Sequence, residues 1–313
     1  MKKLTEYIKP WCEHERVQRG RQPSGVDRYR RTVEMFLAWC KEKGKPEGPS
    51  SIDRADIDEF MKWLFYDAGN TKNSSRANKL SALKSYFRYL TYCGAILRDP
   101  TKGVPTPKFQ KVLPKVFTTE DLGLILSEPD TTKIMGLRDK AVLYTIYAGA
   151  LRVSEICGLT IEDVIDPGSG SIRLNIIGKG NKNRIITIRS RPAAMLRQWL
   201  AYRMPAESDT TAPVFIRLKG GDSEGLSEVT MNNILKKYAH KVGIKRSKAF
   251  VHKLRATCCT NLYDAGTGIY ELMYFMGHSD PKTTMSYVAV SERTLKKTSL
   301  PDSRFRELEK DKE

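Results

Sequence analysis

Residues 250–287 read FVHKLRATCCTNLYDAGTGIYELMYFMGHSDPKTTMSY. The stretch divides into helical pieces at signals that can be read directly. The apolar run after His252 ends at Ala265-Gly266, a Gly277-His278-Ser279 turn follows, and Pro281-Lys282-Thr283-Thr284 can start a new helix that reaches Tyr287. His252 and Arg255 stand at i and i+3, so in a helix they project from one face. Tyr287 follows His278 by nine positions. A basic pair, a histidine and a hydroxyl nucleophile placed where a core should be suggest chemistry on an anion.

The composition points to the same class of partner. At 313 residues the chain is long enough for two domains with separate cores. Lys and Arg number 54 against 36 Asp and Glu, giving a net charge of +18, and the pI is near 9.6. Residues 1–110 hold 22 basic and 13 acidic residues, hence +9, and the remainder carries the other half. Two basic lobes fit a grip on one polyanion, nucleic acid first, better than a single basic tail does. No window approaches the roughly 18 consecutive apolar residues of a membrane span, and Met1-Lys2-Lys3-Leu4-Thr5-Glu6 lacks the apolar core of a signal peptide. The expected location is therefore the cytoplasm or the nucleoid. Six cysteines without a C-x-x-C pair read as reduced thiols rather than a metal site or disulfide framework.

Upstream, the spacing predicts helices throughout residues 1–98. A short one gathers Tyr7, Ile8 and Trp11. The next opens at Ser24 as N-cap, carries Val26, Tyr29, Val33, Phe36 and Leu37, and ends near Lys43-Gly44. A third follows Asp53 as cap with Ile57, Phe60, Met61 and Leu64, and a fourth runs from about Ser74 to Cys93-Gly94. The last carries Lys72, Arg76, Lys79, Lys84 and Arg88. A solvated charged face is the ordinary reading, but the global charge favours a DNA-contacting one. Pro100, Pro105, Pro107 and Pro114 among lysines mark an extended linker. A capping signal at Thr118-Thr119-Glu120-Asp121 opens the second domain, and an apolar helix, Leu137 to Ala148, breaks at Gly149 before Arg152. Runs at 171–177 and 184–189, joined by Gly178-Lys179-Gly180-Asn181-Lys182-Asn183, read as a β-hairpin with lysines on its loop. Helices are expected at 192–204 and 227–242, with a short strand at 214–216 between them, and a last short helix near 302–308. The fold class is mainly α with a small antiparallel sheet.

Each polar residue singled out has an ordinary structural explanation. Arg152 could cap helix carbonyls or pair with Glu155, Lys179 could be a solvated loop lysine, and His252, His278 or Tyr287 could be packing residues. Their joint order and spacing is what those explanations leave out. The set Tyr147-Ala-Gly-Ala-Leu-Arg152-Val-Ser-Glu155 with Leu159 and Asp163, the hairpin Gly178 to Arg184, His252-Lys-Leu-Arg255, Leu262 with Ala265-Gly266, Met276-Gly-His278-Ser and Thr283-Thr284 to Tyr287 resembles the tyrosine recombinase (phage integrase, Xer-like) family. The resemblance covers residues 118–290, and the preceding helices suit that family's core-binding domain.

What the resemblance implies is a helical core-binding domain over 1–99, a linker over 100–117, an α+β catalytic domain over 118–290, and a tail, 291–313, that docks on a neighbouring protomer through Leu295, Leu300, Phe305 and Leu308. Tyr287 is then the nucleophile that forms a 3′-phosphotyrosyl bond, Arg152 and Arg255 hold the phosphate oxygens, and His252 is the acid–base partner of the tyrosine. His278 donates a hydrogen bond to the phosphate. Lys179, with Lys182 as fallback, protonates the leaving 5′-oxygen, and Glu155 and Asp163 support the site. No metal or cofactor is required, because the cationic side chains supply the charge. The implied function is site-specific recombination of double-stranded DNA by a homotetramer through a Holliday junction, with or without accessory proteins, in a simple Xer-like or mobile-element enzyme. A type IB topoisomerase or an inactive DNA-binding architectural factor are the alternatives. Ala150 where the family often has glycine, Ala256 after the second arginine, and Met276 before Gly-His depart from the pattern without removing a reactive group.

Overall fold

A computed structural model describes residues 2–69, 71–109, 113–178, 183–203, 209–218, 224–289 and 291. The chain separates into two compact units, 1–111 and 112–313, a division that falls inside the expected linker.

Among the described residues of the first unit, four α-helices form the bundle: α1 Ile8–Val17, α2 Pro23–Glu42, α3 Arg54–Tyr66 and α4 Asn73–Tyr92. Of the apolar positions expected from the sequence, Trp11, Val33, Phe36, Ile57, Phe60 and Leu64 are buried in one core, joined by Leu80, Leu83, Phe87 and Leu90 of α4, while Tyr7, Ile8, Tyr29, Leu37 and Met61 pack against it half-buried. Aromatic edges fix the packing. Phe36 meets Phe60 edge-on at 5.0 Å, and Trp11 meets Tyr86 at 5.2 Å. Asp53 caps α3 by accepting the Asp56 N–H at 3.0 Å, and Asp56 returns the contact. Ser24 does not cap α2. The helix begins two residues earlier than that cap would place it, at Pro23, whose fixed φ suits the first helical position, and Gln22 is the N-cap.

The segment after α4 belongs to this unit. Ile96 and Val104 join its core, and Lys84 Nζ donates to the Val104 carbonyl at 3.0 Å and to Thr106 Oγ1 at 3.2 Å. Asn73 Nδ2 donates to the Lys108 carbonyl at 2.6 Å. The prolines keep this strap extended, and these donors hold it down.

The second unit contains α5 Thr119–Ser127, α6 Ile134–Ala148, α7 Val153–Cys157, β1 Val164–Ile165, β2 Ser171–Ile177, β3 Asn183–Arg189, α8 Ser190–Arg203, α9 Glu228–Lys241, α10 Val251–Asp264, α11 Ile269–Met276 and α12 Pro281–Val288. Thr118 caps α5 by accepting the Asp121 N–H at 3.1 Å, as the sequence signal indicates. The sheet is antiparallel in the order β1-β2-β3. Leu174 pairs with Ile186 and Ile172 with Ile188, so the alternating side chains of the hairpin face the core. β1 adds a strand that the sequence reading did not include. Residues 214–216 do not form the expected strand. Ile216 makes an isolated bridge to Gly225, and single hydrogen bonds tie the segment to either side, Val214 N to Leu159 O at 2.9 Å and Leu226 N to Phe215 O at 2.9 Å.

Helix α6 lies at the centre, with Ala141, Val142, Leu143 and Ile146 fully buried. A buried cluster ties it to α9. Arg138 donates to Asp139 Oδ1 at 2.6 Å, while Tyr238 OH donates to Asp139 Oδ2 at 2.8 Å. Where α6 ends, a Cβ at Gly149 would lie 2.7 Å from Ile186 Cδ1, and Ala150 then takes a left-handed φ of 45°. That conformation is the physical reason a glycine suits this position. Alanine accepts it at a cost of roughly 1–2 kcal/mol, and its methyl is fully buried.

Candidate active site

The turn after α6 delivers Arg152 as the N-cap of α7, with Glu155 one turn on. Arg152 N–H donates to Glu155 Oε2 at 2.8 Å and its Nη1 to Oε1 at 2.6 Å. From α10, His252 and Arg255 project toward the same place. The helix start is fixed by α9, whose Asn232 Oδ1 accepts the Val251 N–H at 3.1 Å, and its second turn is held by Phe117, whose N–H donates to Thr257 Oγ1 at 2.9 Å. Helix α11 stops at Gly277 in a left-handed conformation, φ 60°. Asp280 then caps α12, accepting the Lys282 N–H at 2.9 Å. His278 and Tyr287 sit on either side of that restart.

These elements enclose a cleft of about 620 Å³ lined by Arg152, Arg184, His252, Arg255, His278 and Tyr287 among others. Tyr287 OH lies 3.3 Å from His252 Nε2. The Tyr287 ring stacks on His278, centroids 5.9 Å apart and planes within 12°. Burial raises the Tyr287 hydroxyl above its ordinary pKa, with Arg255 and Arg152 pulling the other way. The hydroxyl is therefore protonated at neutral pH and needs a base. His252 is pushed below its ordinary value by desolvation, then by the positive charges of Arg255 and Arg152, which favours the neutral imidazole; with the ring proton on Nδ1, its Nε2 accepts that proton.

The two arginines differ. Arg255 is 1% exposed. Its Nη1 donates to the Ala150 carbonyl, and its Nη2 to the Met276 carbonyl and, at 3.1 Å, to His278 Nε2. Burial lowers its pKa to about 10, which leaves it charged at neutral pH. The Arg152 side chain is 30% exposed; its Nη2 donates to the Gly277 carbonyl at 3.0 Å, and its other N–H groups remain for the cleft.

Because an arginine only donates, His278 Nε2 must be the bare nitrogen and the ring proton sits on Nδ1, 2.9 Å from Thr284 Oγ1. The expected donation from His278 to a phosphate requires the proton on the other nitrogen. Burial, then Arg255 and Arg152, lower the His278 pKa to about 4, against 6.5 for an unperturbed histidine. Between those values the unfolded chain binds a proton that the folded protein does not. Stability therefore falls as pH drops from about 6.5 to about 4. His278→Gln should flatten that part of the stability–pH curve in denaturant titrations between pH 4 and 7. An unchanged slope would rule the histidine out as its source.

Arg184 is a site residue that the motif reading passed over. Its guanidinium forks onto Glu155, Nη1 to Oε1 at 3.0 Å and Nη2 to Oε2 at 2.9 Å, and its Nε donates to the Phe275 carbonyl at 2.9 Å. The signal was present: Arg184 falls in phase with the buried Ile186 and Ile188 of β3. An in-phase charge in a strand needs a partner. A Cβ at Gly277 would lie 2.9 Å from Arg184 Nη1, so Gly277→Ala meets both a left-handed φ and a guanidinium pinned by three hydrogen bonds. A loss of roughly 1–3 kcal/mol follows. Thermal melts should show a drop of several degrees, and a midpoint within about 1 °C of wild type would contradict the close approach.

Asp163 stands away from this cleft. It accepts from Thr160 Oγ1 at 2.8 Å and from Asn175 Nδ2 at 3.4 Å, joining the turn before β1 to β2. Lys179 and Lys182 lie outside the described residues, as does the tail beyond 291. In the first unit, Lys72, Arg76 and Lys79 share one face of α4, with Lys84 and Arg88 roughly a third of a turn further round. Arg76 lies over the Phe65 ring at 4.5 Å, Lys79 Nζ donates to Met35 Sδ at 3.5 Å and Lys84 holds the strap, so these three already have local partners. Among the described residues there is no cluster of three or more His, Cys, Asp or Glu suited to a metal, and no helix long and apolar enough to cross a membrane.

Residues 115–293 match the phage integrase family, and residues 8–94 match the phage integrase N-terminal SAM-like domain. The chain belongs to the phage integrase family of tyrosine recombinases. It is 30% identical over 296 residues to tyrosine recombinase XerC of Myxococcus xanthus, covering 93% of this chain and 95% of that one. Its identity to tyrosine recombinase XerD of Listeria monocytogenes serovar 1/2a is also 30% over 296 residues, covering 94% and 97%. Among solved structures, the fold resembles the XerH site-specific recombinase bound to palindromic difH substrate in a post-cleavage complex. The TM-score is 0.72 at 19% identity, over 93% of this chain and 83% of that one. A lambda integrase dimer bound to a COC' core site gives 0.67 at 15% identity, over 91% and 77%. As a tyrosine recombinase the chain falls in a class of DNA strand transferases, and its mainly α fold with one small antiparallel sheet is the expected one.

Proposed function

We propose that this recombinase cleaves and rejoins double-stranded DNA at a specific site through a covalent bond to Tyr287. The observation that carries the reading is the Tyr287 hydroxyl 3.3 Å from His252 Nε2 in a cleft flanked by Arg152 and Arg255. Tyr287 Oη attacks the phosphorus as its proton passes to His252 Nε2. The P–O5′ bond breaks, and the departing O5′ takes a proton from Lys179. A 3′-phosphotyrosyl bond and a free 5′-hydroxyl result, and the reverse attack by a 5′-hydroxyl of another strand restores the phosphodiester without an external energy source. Arg152, with donors facing the cleft, holds one non-bridging oxygen. Arg255, charged and buried behind it, stabilises the added negative charge of the transition state. His278 supports Arg255 in the free protein and contacts phosphate once its proton moves to Nε2.

The first unit contacts the DNA through Lys72 at the start of α4 and Arg76, Lys79, Lys84 and Arg88 along it, and four copies assemble on two duplexes through a Holliday junction. The tail reaches a neighbouring copy, and the enzyme works on nucleoid DNA in the cytoplasm, with or without accessory proteins. The near full-length match to XerC and XerD disfavours a topoisomerase or an inactive architectural role. The test uses the duplex that the protein itself selects from sheared genomic DNA, nicked just downstream of the cleaved phosphate so that the 5′-hydroxyl fragment is lost. Wild type should accumulate a covalent adduct that survives detergent. Tight binding without any adduct would sink the reading.

A further inference from the structure

A charged side chain at a core-facing strand position needs a reason, since an apolar residue in phase with Ile186 and Ile188 would pack there without desolvation cost. Arg184 has only 5% of its side chain exposed. Its partners are groups that set the cleft. Glu155 Oε1 accepts from Arg152 Nη1 and Arg184 Nη1, while Oε2 accepts from the Arg152 N–H and Arg184 Nη2 and lies 3.6 Å from Arg255 Nη1. One carboxylate thus holds three guanidiniums. The fork from Arg184 occupies both oxygens from one side and confines Arg152 to the other. On its opposite edge Arg184 Nε holds the Phe275 carbonyl at the end of α11. Its Nη1 lies against Gly277, whose carbonyl accepts from Arg152 and whose successor is His278.

We propose that Arg184 is a positioning residue for strand cleavage: by forking onto Glu155 and holding the Phe275–Gly277 turn, it fixes the separation between Arg152 and His278 across the cleft. The inference rests on the reading of this cleft as the phosphodiester site. A lysine at 184 keeps the charge but has no fork, and cannot satisfy both carboxylate oxygens and the Phe275 carbonyl together.

The role has a pH signature. Burial alone would push the Glu155 carboxyl up, and the hydrogen bonds from Arg184, with the Arg152 N–H next, hold it near 2. The charged groups facing it are Arg152 at the start of α7, Arg255 from α10 and Arg184 from β3, with His278 behind Arg255. Without Arg184, Glu155 takes up a proton at higher pH, and so does His278, which Arg184 also disfavours in its charged form.

The experiment measures single-turnover adduct formation on the nicked, self-selected duplex from pH 5 to 8, with DNA binding read separately. Arg184→Met should bind DNA within about threefold of wild type, cleave roughly 100-fold more slowly at neutral pH, and show its acid limb displaced to higher pH. Arg184→Lys should recover less than a tenth of the lost rate. Either variant cleaving within about threefold of wild type overturns the proposal, as does a slower rate with the acid limb unmoved, the mark of a merely structural part. If Arg184→Met does not fold, the lysine variant decides alone. If wild type itself forms no adduct, it is the reading of the cleft that fails.

Discussion

Tyr287→Phe is expected to abolish the covalent adduct while leaving DNA binding intact. The phenyl ring keeps the stack on His278 and the buried contacts of a residue that is only 3% exposed, so the fold has no reason to change. Only the oxygen 3.3 Å from His252 is lost. Removing the nucleophile of a covalent mechanism costs roughly 10⁴-fold or more in rate. Incubation of the nicked duplex with excess protein, resolved in detergent gels, should show no adduct above background. Adduct from the phenylalanine variant would mean that another residue attacks.

Arg255 carries the second large expectation. At 1% exposure it holds the Ala150 and Met276 carbonyls and His278 in place and lies 3.6 Å from Glu155. Arg255→Ala takes its donors from the Ala150 and Met276 carbonyls and one of the three guanidiniums from Glu155. Breaking a buried ion pair from one side typically costs about 3–5 kcal/mol, which for a unit of this size lowers the melting midpoint by roughly 10 °C. Arg255→Lys separates folding from chemistry, because it keeps a cation without the fork. It should melt closer to wild type and still cleave about 10³-fold more slowly, the order of loss seen when a preorganised donor to a transition-state charge is removed. Cleavage within tenfold of wild type would show that charge alone suffices there.

Much of the site was legible because its spacing is local. His252 and Arg255 share a helix face, Asp280-Pro281 restarts the chain, and the nine residues from His278 to Tyr287 span one turn and two helical turns. Helix caps at Asp53 and Thr118 were equally direct. What escaped depends on contacts between distant elements. Nothing in the order of residues distinguishes the half-open Arg152 from the enclosed Arg255, since that difference arises where the Ala150 and Met276 carbonyls converge on α10. Arg184 sat in a motif read for its lysines, and its meaning appears only once β3 packs beside Gly277. Lys84 reads as one more basic residue on α4 until the strap lies across it. Ala150 departs from the family's usual glycine, and its positive φ shows why that departure matters.

The most direct test of the central claim is the identity of the attached residue. The adduct from the nicked, self-selected duplex would be digested with protease and nuclease and its nucleotide-bearing peptide sequenced by mass spectrometry. The proposed mechanism, with His252, Arg152 and Arg255 around the attacking hydroxyl, predicts a 3′-phosphate carried by Tyr287. A 5′ linkage, or attachment to any other residue, would contradict it.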